Sequence, residues 1–501
     1  MQGNKTTAIV GGNDIDSKCS DNADQIQKMG IIDVEDGDSE GLIDSVPNSK
    51  LVRKIDLKLM PIMCITYALQ YYDKVLLGHA AIYGLIADLN LQGLRYSNAS
   101  MIFYCGYIAG AFPVSLITQR YPANRACAAL CMMWATVALS TAGCTTYAGL
   151  LANRFFLGVV ESGISPTFMI ITSEWYSPAE QVLRSGFWFS SSGGANLFAP
   201  AISYGIGHIN SGSLDSWQYM YLLVGTITFV WSLVIFFFFP HSPVKENGFT
   251  PEEKALILTR IKTNNVGSTN RQFKWRQVLE CLTSVNFWCI FLMATSSTVT
   301  NGPISSFGPI ILSGMGFTKS QALLLNIPTG AMAVICVLGS ATLGSKIPNV
   351  RLYIIMGASM LTILGGCLVW RLPLSNNGGR LTGFYFLNFF SSAYVQVIGL
   401  GTSNVSGYTK KTTLSAGVFV GYCLGNIIGP LMFKTSDAPR YDPGMMGTVA
   451  CLSCSFFIAI VLRFYLSWEN RRRDRAFGEP GCENGLSDLT DQENKDFRYK
   501  L

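Results

Sequence analysis

Residues 59–82 read LMPIMCITYALQYYDKVLLGHAAI, an apolar run with Gln70, Asp73 and Lys74 in its second half. About twenty apolar residues in a row are enough for a helix to cross the ~30 Å hydrocarbon layer of a bilayer. In lipid every backbone N–H and C=O must be bonded within the protein, which an α-helix achieves by itself. The run therefore predicts a membrane-spanning helix that carries two charges at depth.

Further apolar runs of this kind follow along the chain, at about 98–118, 126–145, 147–172, 185–208 and 217–239 and then at about 284–312, 320–344, 351–371, 380–402, 413–433 and 445–467. The composition agrees, since the 501 residues are 49% hydrophobic and only 14% charged, whereas soluble domains are roughly 25% charged. We therefore predict an all-α membrane protein with twelve transmembrane helices.

Two short patterns recur at equivalent places in the two halves of the chain. Residues 119–125 (QRYPANR) match 345–351 (SKIPNVR), between spans 2 and 3 and between spans 8 and 9. Residues 196–200 (NLFAP) match 426–430 (NIIGP), in spans 5 and 11. The repeat predicts two pseudo-symmetric six-helix bundles, an arrangement that transporters build around a central site.

The polar segments complete the division of the chain. We predict a disordered N-terminal tail over 1–54, a first bundle over 55–240, a central loop over 241–280 with a short amphipathic helix from Pro251 to Lys262, a second bundle over 281–469 and a C-terminal tail over 470–501. Basic residues concentrate at the span ends on the side of both termini, most densely in 245–276 and Arg471–Arg475. The positive-inside rule therefore predicts that both termini, the central loop and both tails are cytoplasmic.

Several classes of protein lack their usual signals in this sequence. The 14 cysteines lie mostly within apolar runs, and with only three histidines they show no zinc-type spacing. A nucleotide-binding GxxxxGK[ST] loop, a nucleophile elbow and an HExxH helix are missing, as is a basic patch with interleaved aromatics for nucleic acid. We predict neither an enzyme nor a metal or nucleic-acid binding protein.

One face of span 1 is polar. Tyr67, Gln70, Tyr71 and Lys74 follow a spacing of i, i+3, i+4 and i+7, which places them on the same side of a helix. Charges at depth cost several kcal/mol unless they are paired or hydrated, so each is a candidate functional residue. We hypothesise that Lys74 counters a negative charge on a substrate, with Gln70 and Tyr71 as hydrogen-bond partners. The alternative is that Lys74 neutralises Asp73 or an acid on another helix.

Span 4 carries a second pair of charges. Arg154 and Glu161 are two turns apart, on one face with Gly158 between them. Glu161 lies midway along its span and is the best candidate for a proton carrier, unless it is a permanently paired carboxylate. Arg154 either binds an anion or forms a structural ion pair. Asp73 points about 100° away from Lys74 around the helix, and it either pairs with Arg154 or carries the proton.

The second half of the chain has amides where the first has charges. Asn301, Asn388 and Gln396 lie at depth and either hold polar parts of a substrate or bond helices together. Asn426, beside Gly425, Gly429 and Pro430, favours a packing role. His79, near the end of span 1, is interpreted as an interfacial residue rather than a pH sensor.

With these motifs the chain resembles the major facilitator superfamily over about residues 55–470, and within it the fungal allantoate permease family of anion:cation symporters. The stretches that carry the resemblance are 70–74 (QYYDK), 154–161 (RFFLGVVE), 173–176 (SEWY), 425–430 (GNIIGP) and 437–441 (DAPRY). Gln119 occupies a position where the superfamily usually has Asp, and Pro122 replaces a Gly. These differences leave undetermined which residues hold the inner gate closed.

The resemblance implies proton-coupled uptake of a small organic anion or vitamin, the family's substrates being compounds such as allantoate, nicotinate, pantothenate, sulfonates and cysteine. The expected mechanism is alternating access, with a substrate near the midplane contacted by spans 1, 4, 7 and 10. The expected partners are this substrate, the proton and the bilayer, for a monomer in the plasma membrane or an internal membrane. No cofactor besides a proton gradient is expected. The alternatives are an exporter of a secondary metabolite or small acid, a transporter-like nutrient sensor and a channel.

Overall fold

A computed structural model describes residues 48–209, 213–240, 243, 246, 248–257, 273–478 and 489–501. These residues are almost all helical, and they form the twelve-helix, two-bundle architecture predicted from the sequence. The amphipathic helix predicted from Pro251 to Lys262 is helical over 251–257, and its remainder lies outside the described residues, as does the predicted tail over 1–47.

The first bundle consists of α1 (Asn48–Ala80, continued by a π-helical turn at Ala81–Leu85), α2 (Arg95–Arg120), α3 (Ala123–Thr141), α4 (Tyr147–Glu161 and, after a break, Ile164–Trp175), α5 (Pro178–Ile206) and α6 (Ser216–Phe238). The second consists of α7 (Val285–Thr298, a π-helical turn at Pro303–Phe307, and Gly308–Gly314), α8 (Lys319–Leu324 and Ile327–Lys346), α9 (Arg351–Arg371), α10 (Asn377–Phe386 and Phe390–Ser403), α11 (Tyr408–Leu431) and α12 (Asp442–Phe477). Because the number of spans is even, α1 begins and α12 ends at the same face, which we call the terminal face; the other is the opposite face.

Length and hydropathy alone mark seven of these helices as able to cross a membrane. An eighth is a pair bent by 68°, in which a surface helix, Trp275–Thr283, leads into α7. Helix α1 is not among them. Gln70, Asp73 and Lys74 lower its hydropathy.

Two predicted domain boundaries differ from the structure. Residues 48–54, predicted as tail, form the first turns of α1, because Leu51 and Ile55 are buried against the bundle. The central loop fastens these turns in place, with Lys54 Nζ 2.6 Å from Glu253 Oε2 and Lys58 Nζ 2.9 Å from Glu246 Oε1. Such partly hydrated pairs contribute about 0–1 kcal/mol each, so the burial of Leu51 and Ile55 is the main stabilising contact.

At the other end of the chain, α12 continues to Phe477, so residues 470–477 are helix and not tail. Residues 489–501 fold back onto the terminal face of the second bundle. Their anchor is Arg473, which is buried and donates to the carbonyls of Asp491, Asn494 and Phe497. The adjacent side chain of Glu469 accepts a hydrogen bond from Arg473 Nε at 3.1 Å.

Glycines set the contact between α2 and α4. A Cβ at Gly158 would collide with the backbone carbonyl of Phe103, and a Cβ at Gly106 would collide with that of Phe155. The two helices therefore approach backbone to backbone, as small residues allow in membranes. This approach brings Phe103 and Tyr107 of α2 beside the charged face of α4.

The two bundles contact each other towards the opposite face. The hydroxyl of Tyr96 on α2 donates to the carbonyl of Ser306 on α7 at 2.6 Å, and the hydroxyls of Ser100 and Ser306 are 2.6 Å apart. Further out, the hydroxyl of Ser97 donates to the carbonyl of Phe433. These buried bonds close the bundle interface on that side.

Candidate functional site

Four charged side chains of the first bundle converge between α1 and α4. Lys74 Nζ lies 3.7 Å from Glu161 Oε2, and Glu161 is fully buried while the Lys74 side chain is 18% exposed. The pair is a salt bridge at the long end of the range, and neither carboxylate oxygen of Glu161 has a hydrogen-bond donor among the described residues. A buried carboxylate held only by this contact is an exception to the rule that buried polar groups are bonded.

Aromatic rings surround the ammonium group of Lys74 on its other side. Its Nζ lies 5.6 Å from the centroid of the Phe103 ring and 5.2 Å from that of Tyr107. Ring faces attract cations within about 6 Å. The close α2–α4 contact positions both rings, so Lys74 lies in a position stabilised by one carboxylate and two π-faces.

Asp73 takes a different direction from Lys74, as the helical period predicts. Its Oδ2 accepts a hydrogen bond of 3.0 Å from the indole of Trp134 on α3, and its Oδ1 has no donor among the described residues. Of the two roles considered for Asp73, the salt bridge with Arg154 is not formed in this structure, and the carboxylate is instead bonded to the indole of Trp134.

Arg154 is bonded to a tyrosine. One of its terminal nitrogens donates to the hydroxyl of Tyr221 on α6, whose ring centroid lies 5.4 Å from the guanidinium carbon. Its Nε has no acceptor among the described residues, although Arg154 is only 2% exposed. The structural ion pair considered for Arg154 is absent from the described part of the chain, and the guanidinium retains unused donors.

A cavity of about 20 Å³ lies between the two bundles at this point, room for about one water molecule. Lys74 and Arg154 line it, together with Ser100, Phe103 and Tyr104 of α2 and Ser305 and Ser306 of α7. Side chains of spans 1, 4 and 7, three of the four spans predicted to contact the substrate, line this cavity together with α2. Span 10 does not line it, and the contact of these spans with a substrate stays a prediction.

Local sequence explains why α7 presents polar groups here. Pro303 follows Gly302 and begins a π-helical turn over Pro303–Phe307, and π-turns often mark functional sites within helices. The turn aims the side chain of Ser306 at Ser100 and its carbonyl at Tyr96. The second bundle thus supplies hydroxyls to the cavity, whereas the first supplies charges.

The other residues predicted on the polar face of α1 lie nearer the terminal face than Lys74. Gln70 Nε2 donates to the backbone carbonyl of Glu161 at 3.2 Å. The Tyr67 ring packs 5.1 Å from Trp188 of α5, and Tyr71 packs against the hydrophobic core of the bundle. None of the three lines the cavity in this closed arrangement.

The three predicted amides of the second bundle bond to protein groups. Asn301 donates to Asn426 Oδ1 at 2.8 Å, Gln396 donates to the carbonyl of Ser340 on α8 at 2.7 Å, and Asn388 donates to the carbonyl of Tyr385 in its own helix at 3.3 Å. They lie away from the cavity. In this conformation Asn301 and Gln396 bond helices together, whereas the bond of Asn388 stays within its own span.

His79, interpreted from the sequence as an interfacial residue, is fully buried within the protein. Its Nδ1 is 2.8 Å from the hydroxyl of Ser203 on α5, which also lies 3.0 Å from the hydroxyl of Tyr72. Burial against α5 concerns the surrounding protein and not the depth in the bilayer, so the interfacial position stays a prediction.

Sequence reasoning missed Trp134 and Tyr221, which hold Asp73 and Arg154. Each lies in an apolar run where aromatic residues are common, so neither stands out by pattern. Their roles depend on α3 and α6 packing against the charged helices, a relation that no local spacing encodes.

Sequence similarity places the chain among proteins with this architecture. The profile of the Major Facilitator Superfamily matches residues 63–430, most of both bundles. The chain belongs to the major facilitator superfamily. Its members are transporters rather than enzymes, which agrees with the lack of enzyme motifs in the sequence.

Similarity within this superfamily points to fungal carriers. An uncharacterized transporter of Schizosaccharomyces pombe is 35% identical over 457 residues, covering 90% of this chain and 87% of that protein. The allantoate permease of Saccharomyces cerevisiae is 33% identical over 469 residues, covering 90% and 86%. The resemblance to the allantoate permease family is thereby confirmed.

A solved structure shares the fold of this superfamily member. The inward-facing, unoccupied form of a bacterial homolog of the human lysosomal transporter Spinster aligns with a TM-score of 0.60 at 16% identity, covering 81% of this chain and 95% of that one. By its family and its fungal relatives, the chain is an integral, multi-pass membrane transporter of small molecules.

Proposed function

We propose that this chain imports a small organic anion together with a proton by alternating access. The observation that carries the proposal is the contact between Lys74 and Glu161 at the wall of the central cavity. The proposed substrate class is based on the similarity to the allantoate permease. It comprises small carboxylates and sulfonates, whose negative charge two cationic side chains can bind.

The formal charge of the site supports coupling. Lys74 and Arg154 contribute two positive charges and Asp73 and Glu161 two negative ones, so the four side chains together are neutral. Binding a monoanion makes the site negative, and binding a proton as well restores neutrality. Moving one net charge through 100 mV costs about 2.3 kcal/mol, so the electroneutral pair crosses an inside-negative membrane without that cost.

Lys74 provides the link between the two binding events. An anionic substrate at the cavity competes with Glu161 for the same ammonium group. Glu161 then loses its only cationic partner within salt-bridge distance among the described residues, and an unpaired carboxylate in an apolar interior is unfavourable. Proton uptake by Glu161 removes that charge, so substrate and proton bind together. Asp73, held by Trp134, is a second proton candidate.

The small size of the cavity supports a mechanism in which the two bundles move relative to each other. About 20 Å³ holds no organic anion, so substrate entry requires the bundles to separate on one side. The bonds from Tyr96 and Ser100 to α7 would break when the opposite face opens. Gln70, Tyr67 and Tyr71 would line the route towards the terminal face, and Asn301, Asn388 and Gln396 would be the polar groups of the second bundle.

The proposed orientation in the membrane is based on the charges outside the spans. The basic residues at the terminal face support a cytoplasmic location for that face and for both termini. We assign the monomer to the plasma membrane, where uptake against a gradient is useful. No cofactor other than the proton gradient is required.

The deciding experiment is uptake of radiolabelled small acids by a permease-deficient host that expresses the full chain, at two external pH values. We expect saturable uptake that is faster at the lower pH and abolished by a protonophore. Uptake that is equal at both pH values and resists the protonophore would contradict symport, and net efflux of the labelled acid would identify an exporter.

A further inference from the structure

The surface of the second bundle carries a groove of about 1050 Å³ between α9 and α12, at the terminal face. It is far from the central cavity and shares no residue with it. Its walls are apolar towards the middle of the membrane, where Met356, Ile460 and Phe464 lie, and basic towards the terminal face, where Arg471, Arg472 and Arg475 lie.

The groove follows one stripe of α12. Phe464, Trp468, Arg471 and Arg475 are three or four residues apart and so lie on the same side of the helix. From Phe464 to Arg475 the helix rises by about 16 Å. Over this distance the stripe changes from an apolar ring through a tryptophan, the residue typical of the membrane interface, to two arginines.

The arginines at the end of α12 differ in whether they have a partner among the described residues. Arg473 points away from the groove and is buried beneath the folded-back residues 489–501. Arg472 is paired with Glu469 at 2.9 Å. Arg471 and Arg475 are exposed, and within the described part of the chain neither has an ion-pair partner. At the mouth of an apolar groove there are therefore two exposed guanidinium groups that have no ion-pair partner among the residues described by the structure.

The α9 side of the groove also carries a positive charge, which affects the kind of ligand that the groove can bind. Arg463 lies over the ring of Tyr353 of α9, with 3.8 Å between its guanidinium carbon and the ring centroid, and donates to the carbonyl of Asn349 at 3.3 Å. This contact fixes a third positive charge on the α9 side of the groove. An occupant must combine a negative headgroup with an apolar chain lying along Phe464 and Met356.

We propose that the groove binds one anionic phospholipid of the leaflet at the terminal face, with its headgroup on Arg471 and Arg475 and an acyl chain along Phe464. The lipid class follows from charge complementarity, since basic pockets beside spans attract anionic headgroups. The proposal does not depend on the transported substrate. Loss of the site need not impair proton coupling, so the two proposals fail separately.

The test is native mass spectrometry of the full chain in detergent, titrated with phosphatidylserine or with phosphatidylcholine of the same acyl chains. We expect one phosphatidylserine to bind in preference to phosphatidylcholine. At about fivefold for each arginine, the double variant Arg471→Gln/Arg475→Gln should bind phosphatidylserine about 25-fold more weakly. If that variant does not fold, Arg475→Gln alone should weaken binding about fivefold.

The matched control is Lys346→Gln/Lys411→Gln, which removes two exposed charges from the same face outside the groove. It should keep the wild-type affinity. Equal losses in the two double variants, or no preference for phosphatidylserine in the wild type, would overturn the proposal. Soluble glycerophosphoserine should not displace the lipid; displacement at the same concentration would reduce the groove to a simple anion site and overturn the lipid assignment.

Discussion

Lys74 and Glu161 lie on different helices, yet the lysine nitrogen is 3.7 Å from a carboxylate oxygen that has no hydrogen-bond donor among the described residues. The separation is longer than that of the surface pairs of this chain, such as Lys54 and Glu253 at 2.6 Å. A buried pair with a long contact and unsatisfied oxygens is easily separated, which is what a site that exchanges a carboxylate for a substrate needs.

Replacing Glu161 with Gln should abolish uphill accumulation while counterflow exchange continues, because the amide cannot carry a proton but leaves Lys74 free for the substrate. The measurement compares net uptake with exchange of labelled for unlabelled substrate in cells expressing each variant. Glu174→Gln, a carboxyl near the terminal-face end of the same span, is the matched control and should retain accumulation. Accumulation retained in Glu161→Gln would assign the proton elsewhere, with Asp73 as the next candidate.

Replacing Lys74 with Ala should raise the KM for the anion about 10- to 100-fold, since a hydrogen bond to a charged group contributes about 1.5–3 kcal/mol. The variant must be shown at the membrane by surface labelling, because Glu161 loses its partner and stability also falls. Lys346→Ala, at an exposed position of the terminal face, should leave KM unchanged. A Lys74→Ala protein that reaches the membrane and transports at the wild-type KM would exclude Lys74 from substrate binding.

Replacing Gly158 with Val should strongly lower the melting temperature, because its Cβ would collide with the carbonyl of Phe103 and force α2 from α4. The same change at Gly194 on α5, where a Cβ would have no atom within 4 Å, should be tolerated. Fluorescence-detected thermal unfolding in detergent measures both. A Gly158→Val protein as stable as Gly194→Val would show that the close α2–α4 contact is not required.

Replacing Tyr96 with Phe removes a bond to the Ser306 carbonyl across the bundle interface. At about 1 kcal/mol per bond, the population open at the opposite face should rise about fivefold. This population is measured by introducing Ser305→Cys into each variant and labelling the new cysteine with a membrane-impermeant thiol reagent. Labelling of the same protein without Ser305→Cys is subtracted as background. Tyr83→Phe, whose hydroxyl has no partner among the described residues, should not change labelling. Equal labelling of both variants would argue against the Tyr96 bond as part of the closure.

Replacing Lys410 with Met should destabilise the second bundle by about 3–5 kcal/mol, the usual cost of leaving a buried charge unpaired. Lys410 is 1% exposed and lies 2.7 Å from both Glu280 and Asp491, so the change leaves two carboxylates facing each other. The adjacent exposed Lys411 provides the control, and Lys411→Met should keep the wild-type melting temperature. Similar melting temperatures for the two variants would mean that residues 489–501 contribute little to this face.

The architecture was predictable because lipid imposes a simple rule on sequence. A span must be about twenty residues long, mostly apolar and helical, so the apolar runs of the sequence predict the spans; hydropathy and length alone identify seven of them, and the more polar α1 is not among these. The errors are at the ends, at 48–54 and 470–477, where helices continue into water. There tertiary contacts, such as those of Leu51 and Arg473, decide where the helix ends, and hydropathy does not register them.

The candidate site was predictable in part for the same reason. Charges at depth are rare, so Lys74, Asp73, Arg154 and Glu161 stand out against apolar runs. Amides do not stand out in this way, because an Asn or Gln in lipid can be satisfied by a neighbouring carbonyl. Asn301, Asn388 and Gln396 are bonded to protein groups for that reason.

The sequence by itself determined the number of helices, their division into two repeated bundles and the identity of the charged groups, because the free energy of placing each residue in lipid depends mainly on its own chemistry. Only the tertiary structure decided which of these groups are partners. Lys74 meets Glu161, Asp73 meets Trp134 and Arg154 meets Tyr221 because glycines let α2 and α4 touch and because α3 and α6 pack beside them. Such contacts join residues far apart in the chain, and no local spacing specifies them.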